Sequence, residues 1–298
     1  MIYTNNKNLP APIYRMVALS PHDTGTADYS VTELLDSPRV KYLERKHSAV
    51  LRPDVSENAN TVLGNGADDD MKTASEPPEI AGLRLGAFIE VDGREYEING
   101  EFDWYDPTQE WLSDLKTPGV YEWFHPKQER EAQLNIYRFL ILVNAQDPSS
   151  PVYGCKVSRM TNTFVFKGWS PREARYRKGY PSSIDQREVP IWPIEETLAF
   201  IKDRIRAHRD ANEDTLCSDE DRWIDKSFAV VPIAGGRAVN GGSNFEDYET
   251  AEAFRGTLKD PSLYEVESRE GEPKRCMDWC NVGKAGLCQQ WNGSGGGA

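Results

Sequence analysis

Long apolar runs and positive charge are both scarce in this sequence of 298 residues. No run approaches the roughly 18 apolar residues that a membrane-spanning helix requires, so we expect no segment to cross a membrane. The stretch Met1 to Pro12 has no apolar core of the kind found in secretory signals, which predicts a cytoplasmic protein with reduced thiols. A Gly-rich phosphate loop of the Walker type is also missing, which argues against an NTPase motor.

Negative charge outweighs positive charge: 48 Asp and Glu stand against 35 Lys and Arg, and the formal net charge is −13. A protein that only coats nucleic acid is normally basic, so the composition argues against that class. It leaves room for an enzyme that acts on nucleic acid, because metal-binding carboxylates add acidity and a bound cation reverses the local sign. The basic residues are clustered, and we expect either solvated faces or DNA contacts at Arg39, Lys41, Arg172, Arg175, Arg177 and Lys178.

The periodicity of the apolar residues predicts an α/β fold with a mixed central sheet flanked by helices. The predicted order begins with a helix over 29–47, capped by Ser30 and interrupted at Pro38. A helix near 64–72 and a meander of short strands between 87 and 116 follow, with Asp92-Gly93 as a hairpin turn. A long helix over 126–143, strands over 152–160 and 163–166, and a helix over 193–209 complete the series.

Changes in composition predict four segments along the chain. Residues 1–28 form an irregular N-terminal arm, and residues 29–210 form the core. Residues 211–292 form a small α+β appendage that contains cysteines. The Gly-rich end, 293–298, is expected to be a flexible tail.

The residues best suited to chemistry lie on two neighbouring predicted strands. Asp114 and Lys116 are two apart on one strand and therefore share a face, and a spacing of about 5 Å between strands brings Asp103 beside Asp114. Paired carboxylates of this kind bind Mg²⁺, which promotes phosphodiester hydrolysis, and a nearby Lys orients the attacking water or balances charge. The alternative is a solvated surface pair, because an acid and a Lys two apart also occur by chance.

The following helix carries Gln133 and Tyr137, one turn apart on one face. These side chains are expected to contact a phosphate or to brace Lys116. The alternative is a core Tyr beside a surface Gln.

Taken in order, Gly100-x-x-Asp103, Asp114-x-Lys116-Thr117 and Gln133-x-x-x-Tyr137 resemble the motifs of the PD-(D/E)XK nuclease superfamily. The similarity is to RecB-type exonucleases, including phage-encoded and CRISPR-associated ones. It covers residues 29–166 well and the remainder more loosely.

The resemblance implies a restriction-endonuclease-like core in a bacterial or phage-infected host cell. It implies Mg²⁺ or Mn²⁺ held by Asp103, Asp114 and the main-chain carbonyl of Leu115. Lys116 would be the catalytic lysine, and Gln133 and Tyr137 would support it.

The sequence departs from the family at two positions. The family helix before the meander often reads Gly-x-x-x-His, with the His as a metal ligand, whereas Gly64 is followed four residues later by Asp68. Carboxylate oxygen suits Mg²⁺ at least as well, and Asp69 and Asp70 flank the position. Ser37 stands where iron–sulfur members carry a Cys.

Three of the five cysteines fall within thirteen residues near the end of the chain. With Cys217 they provide four sulfurs for one structural Zn²⁺ or iron–sulfur site at Cys217, Cys276, Cys280 and Cys288. The alternative is a set of ordinary reduced thiols.

Two functions are consistent with these patterns. The first is a Mg²⁺-dependent deoxyribonuclease, an exonuclease that processes single- or double-stranded DNA ends in recombination or repair. The second is a non-catalytic nucleic-acid-binding protein that keeps the nuclease fold. Exonuclease or endonuclease action, polarity, an oligomer and a recombination or replication partner protein are left open.

Overall fold

The computed structural model describes residues 2–18, 26–239 and 244–292. The chain divides into two compact units. The first unit comprises Met1–Tyr42 and Ser48–Asn212, and the second comprises Leu43–His47 and Glu213–Ala298. The predicted tail, 293–298, lies outside the described residues. Among the described helices, none combines the length and the apolar character needed to cross a membrane.

The chain through residue 212 contains eight α-helices and a short 3-10 helix (Val55–Glu57) within its described residues. The α-helices are α1 (Ala11–Ala18), α2 (Val31–Leu35), α3 (Pro38–Lys46), α4 (Ala59–Ala74), α5 (Tyr121–Phe124), α6 (Gln128–Asn144), α7 (Pro171–Tyr176) and α8 (Ile194–Arg209). The strands of the same part are β1 (Tyr29–Ser30), β2 (Ile80–Val91), β3 (Arg94–Asp106), β4 (Trp111–Lys116), β5 (Arg159–Val165) and β6 (Ile184–Glu188). The second unit contains β7 (Ser227–Pro232), α9 (Tyr248–Gly256), β8 (Tyr264–Arg269), a π-helical turn (Arg275–Trp279), α10 (Asn281–Lys284) and α11 (Gln289–Asn292).

The central sheet is mixed, and it confirms the predicted fold class. Its order is β1-β3-β4-β5-β6, with β2 paired to β3 as well. The pairs β1·β3 and β4·β5 are parallel, and the pairs β2·β3, β3·β4 and β5·β6 are antiparallel. The parallel pair β4·β5 needs a long crossover, and α5 and α6 provide it. The second unit has its own two-stranded antiparallel sheet, β7·β8.

One edge of β3 is shared by two other strands. Strand β2 pairs with β3 along nearly its whole length, from Arg94 to Tyr105. On the other edge, β1 pairs with Ile98 and Asn99, and β4 pairs with Trp104, Tyr105 and Asp106. The segment between these pairings, 100–103, therefore has no strand partner on that side among the described strands.

The main core lies where helices α2, α6 and α8 pack against one another, with α6 and α8 also contacting β2. The long helix α6 forms because apolar residues recur at helical spacing. Acidic residues also occupy its first turn, where they interact favourably with the positive end of the helix dipole. Leu34, Leu134 and Ile201 are fully buried in this core. Helix α4 contacts β2, β3 and β4, and α1 contacts α4.

Several local predictions are confirmed. The Ser30 hydroxyl accepts a hydrogen bond from the Glu33 amide and caps α2. The helix predicted over 29–47 is split before Pro38 into α2 and α3. Asp92 and Gly93 both have positive φ and form the two-residue turn of the β2–β3 hairpin.

Other local predictions are wrong. The two strands predicted over 152–160 and 163–166 are one strand, β5; Val152 and Val157 are buried in irregular backbone, and their burial explains the apolar pattern. Strand β6 was not predicted because its sequence is mostly polar. Part of the predicted irregular arm is the helix α1, and 19–25 lies outside the described residues.

Gly100 lies where β3 comes close to α2 and α6. A Cβ atom at this position would lie 2.6 Å from Val31 Cγ2 and 2.7 Å from Tyr137 Cε1. Both distances are below van der Waals contact, so the absence of a side chain lets α2 and α6 pack against this strand.

We expect Gly100→Ala to lower the free energy of unfolding by about 1–3 kcal/mol, because the added methyl group overpacks the Val31–Tyr137 contact. Chemical denaturation followed by circular dichroism measures the change. Gly64→Ala is the matched control, since a Cβ there meets nothing within 4 Å and Ala favours the helix. Equal stability of Gly100→Ala and the wild type would contradict this packing argument.

Candidate active site

The predicted pair Asp103 and Asp114 meets at the junction of β3 and β4. The register pairs Tyr105 with Leu112, and its continuation by two residues sets Asp103 opposite Asp114. Regular pairing ends at Trp104 and Ser113, just before the unpartnered segment of β3. There the Asp103 carboxylate takes the place of a strand partner and accepts a hydrogen bond of 2.7 Å from the Leu115 amide.

Asp114 is almost completely buried, with 1% of its side chain exposed. Its carboxylate forms an ion pair with Lys116, as expected for residues two apart on one strand. The contact lacks hydrogen-bond geometry, and neither carboxylate oxygen accepts a hydrogen bond from any described group. A buried carboxylate is normally hydrogen-bonded or bound to a metal.

The pKa of Asp103 reflects its burial and the nearby charge of Asp114. Burial is the largest cause, and together with the nearby Asp114 charge it raises the pKa of Asp103 to about 8. Lys116 and the Leu115 amide oppose the shift, and Asp68 adds to it. Without a bound cation, the protonated form of Asp103 is therefore favoured, because two adjacent carboxylates repel each other.

Asp68 is the member of its acidic run that approaches the site. It is partly buried, whereas Asp69 and Asp70 are exposed. Lys72, one turn along α4, bridges Asp68 and Glu101 of β3 at 2.7 Å each. Partial burial opposes the effect, but the hydrogen bonds to these carboxylates raise the pKa of Lys72 above its usual value. Sequence reasoning missed this bridge, although Glu101 lies inside the quoted motif.

Gln133 and Tyr137 lie on α6 as predicted, and they contact each other. The Gln133 amide donates a hydrogen bond of 3.1 Å to the Tyr137 hydroxyl. Burial, followed by the charges of Asp114 and Asp103, raises the pKa of Tyr137 well above its usual value. The neutral hydroxyl is therefore within electrostatic reach of both carboxylates.

Strand β5 adds a residue that sequence reasoning missed. Asn162 is the register partner of Asp114 in the parallel β4·β5 pair. It is 4% exposed, and its side-chain oxygen has no hydrogen-bond partner among the described groups. Parallel pairing across 48 residues leaves no local signal, so the pattern of the sequence could not identify it.

The donor set fits a hard divalent cation, because its oxygens are carboxylates or amides and those of Asp114 are buried without hydrogen-bond donors. In the part of the chain that the structure describes, however, no three His, Cys, Asp or Glu side chains are grouped as a metal site. Metal binding by Asp68, Asp103, Asp114 and the Leu115 carbonyl stays a prediction.

The basic clusters differ in exposure. Arg39 is buried, so its guanidinium is not presented on the surface as a DNA contact would require. Lys41 forms an ion pair with Asp36 at 3.0 Å. The other cluster, at Arg172, Arg175, Arg177 and Lys178, is exposed on and just after α7, and DNA contact there stays a prediction.

The predicted sulfur site lies within the second unit. Cys280 is buried, which raises the pKa of its thiol, and its Sγ accepts a hydrogen bond from the Gly283 amide at the start of α10. The Gln290 side chain of α11 holds both backbone groups of Cys217. Within the described residues these four cysteines form no disulfide, and Zn²⁺ or iron–sulfur binding by Cys217, Cys276, Cys280 and Cys288 stays a prediction.

No protein-family model matches the sequence, and no curated protein matches it. Solved structures are similar to this chain in part, and two of them are as follows. The protein SSO0001 has a TM-score of 0.48 at 14% identity, covering 67% of this chain and 86% of that chain. A phage related exonuclease from Haemophilus somnus 129PT has a TM-score of 0.32 at 14% identity, covering 60% and 88%. Similarity at this level does not assign an activity to this chain.

The raised pKa of Asp103 predicts a pH-dependent stability of the cation-free protein. The folded state holds this proton more tightly than the unfolded chain, whose carboxyl pKa is about 4. The stability from Asp103 is therefore full below about pH 4 and is lost as the pH rises through about 8. We expect Asp103→Asn to raise the melting temperature at pH 8 in EDTA and to flatten its fall between pH 5 and 9.

Asp106→Asn is the matched control on the same strand. Hydrogen bonds from Thr108 are the largest cause of a lowered pKa at Asp106, so its amide variant should be less stable at pH 8. Thermal melts of both variants test the assignment. A lower melting temperature for Asp103→Asn at pH 8 would show that the carboxylate pair is not repulsive.

Proposed function

We propose that this protein is a divalent-cation-dependent DNA nuclease, a phosphodiester hydrolase that processes DNA ends. The observation that carries the proposal is the convergence of Asp103, Asp114 and Lys116 at the point where β3 and β4 separate. A buried acidic pair with a lysine alongside suits metal-assisted phosphodiester hydrolysis, in which carboxylates hold the cation and a lysine offsets charge on the phosphate. The alternative, a surface pair, is inconsistent with the 1% exposure of Asp114.

Bound Mg²⁺ or Mn²⁺ would supply a polarised water and neutralise the scissile phosphate. Asp114 and Asp103 would hold the cation, with Asp68 contributing charge from α4. The Leu115 amide fixes the Asp103 carboxylate by its hydrogen bond, so this ligand is oriented before any cation arrives.

Lys116 would orient the attacking water or offset charge as the phosphate reacts. Its ammonium is held at the site by Asp114. Release from that ion pair when a cation takes the Asp114 charge would free the ammonium for the substrate. Gln133 and Tyr137 form a neutral hydrogen-bonding pair on the α6 side, suited to a phosphate oxygen or to Lys116.

The exposed basic cluster after β5, at Arg172, Arg175, Arg177 and Lys178, is proposed to contact the DNA backbone. Although the net charge of the protein is −13, this cluster is locally positive and would attract the DNA backbone to its surface. DNA recombination or repair in a bacterial or phage-infected cell is the proposed setting.

The decisive assay uses 5′- and 3′-labelled single- and double-stranded DNA with Mg²⁺, with Mn²⁺ and with EDTA. We expect cleavage that requires the cation, and Asp114→Asn and Lys116→Met should lower its rate by about 10²–10³-fold or more. The order in which labelled products appear distinguishes exonuclease from endonuclease action.

Asp92→Asn, at the distant hairpin turn, is the matched carboxylate control and should cleave at the wild-type rate. Circular dichroism checks that each variant is folded. A wild-type protein that shifts labelled DNA with Mn²⁺ but never cuts it would replace the proposal with the non-catalytic binding function.

A further inference from the structure

A row of polar side chains crosses the central sheet at the level of Asp114. The pairing places Asp103, Asp114, Asn162 and Arg187 on the successive strands β3, β4, β5 and β6. Register partners in adjacent strands share a face and lie about 5 Å apart. Asn162 is therefore an immediate neighbour of Asp114 on the face that carries the candidate active site.

The side-chain oxygen of Asn162 is a buried acceptor with no donor among the described residues. A buried acceptor with no partner destabilises the folded state, and native proteins retain few of them. Asp114 cannot satisfy it, because an ionised carboxylate also only accepts hydrogen bonds. Two neighbouring buried groups thus present three oxygens to a species that must be a donor or a cation.

Arg187 is the cationic side chain of this row, and its contacts are with Trp123. The Arg187 guanidinium donates a hydrogen bond of 2.6 Å to the Trp123 carbonyl and lies 4.5 Å from the centre of the Trp123 ring. Trp123 in turn packs edge-on against Phe164 and Phe166. These contacts engage the Arg187 guanidinium, and it donates no hydrogen bond to the side-chain oxygen of Asn162.

We propose that Asn162 is a further residue of the divalent-cation site, and that its side-chain oxygen binds the same cation as the Asp114 carboxylate. Amide oxygen is a normal ligand for hard divalent cations. The proposal rests on the proposed metal dependence and extends the site to a third strand, β5. It also accounts for a polar residue that would otherwise only destabilise the core.

Stability and Mn²⁺ affinity should respond to Asn162 in opposite directions. Asn162→Leu removes the unsatisfied acceptor, so the melting temperature in EDTA should be equal to that of the wild type or higher. The same variant should weaken Mn²⁺ binding, measured by isothermal titration calorimetry, by about 10-fold or more. Its gain in melting temperature on adding Mn²⁺ should shrink accordingly.

Asn162→Asp should do the reverse, since it adds a charged oxygen: lower stability in EDTA and tighter Mn²⁺ binding. The same variant tests the alternative that the Asn162 amide is rotated and donates a hydrogen bond to Asp114. A carboxylate at position 162 cannot donate, so under that alternative Asn162→Asp would weaken Mn²⁺ binding. Wild-type Mn²⁺ affinity in Asn162→Leu, or weaker binding in Asn162→Asp, would overturn the proposal.

Asn135→Leu is the matched control. Asn135 is a fully buried amide of α6 whose nitrogen donates to the Glu131 and Pro190 carbonyls and whose oxygen accepts from the Trp192 amide. Its loss should lower the melting temperature with and without Mn²⁺ and leave the Mn²⁺ affinity unchanged.

The inference and the proposed function fail in distinguishable ways. A wild-type protein that binds Mn²⁺ through Asp114 and Asn162 but cuts no DNA keeps the cation site and loses the nuclease. A wild-type protein that cuts DNA while Asn162→Leu binds Mn²⁺ normally keeps the nuclease and loses the role of Asn162. Absence of any Mn²⁺ binding by the wild type overturns both.

Discussion

Strand β3 has two edges, and three strands pair with them. Because β2 occupies one edge along nearly its whole length, β1 and β4 share the other, and the segment 100–103 is left without a partner there among the described strands. A gap in a ladder leaves backbone groups that need other partners. The Asp103 carboxylate meets that need for the Leu115 amide, and the same gap gives the carboxylates of two strands access to one space. The position of the candidate site is therefore a consequence of strand pairing.

The site combines groups that oppose one another. Asp103 and Asp114 repel, and Lys116 offsets part of the repulsion while Asp68 adds to it. Lys72 offsets the charge of Asp68 and Glu101. Natural proteins retain such unfavourable arrangements mainly where function requires them, since the same volume filled with apolar side chains would be more stable. A bound cation would convert the repulsion into attraction, which is the main physical reason for proposing metal chemistry at this cluster.

How much the sequence could predict depended on the distance between the interacting residues. Asp103, Asp114 and Lys116 lie on strands joined by a short turn, so the two-residue period was enough to place them on one face. Ser30, Pro38 and the Asp92-Gly93 turn are likewise local signals, and the structure confirms each of them. Asn162 and the Lys72–Glu101 bridge depend on pairings between distant segments, for which one sequence contains no period or turn signal. The strands predicted over 152–160 and 163–166 failed for a related reason, since burial in a loop and burial in a strand give the same apolar pattern.

Strand β6 ends the central sheet on the side away from β3, and its sequence is Ile-Asp-Gln-Arg-Glu. An exposed edge strand is a template on which another chain can add a strand, and proteins commonly prevent this with charged side chains. Asp185, Arg187 and Glu188 place both signs of charge along this short edge, and Glu188 is paired with Arg159 of β5. The strand that completes the polar row thus also carries the kind of charged edge that disfavours pairing with another chain. Substitutions that made β6 more apolar would favour β-sheet association between copies of the chain.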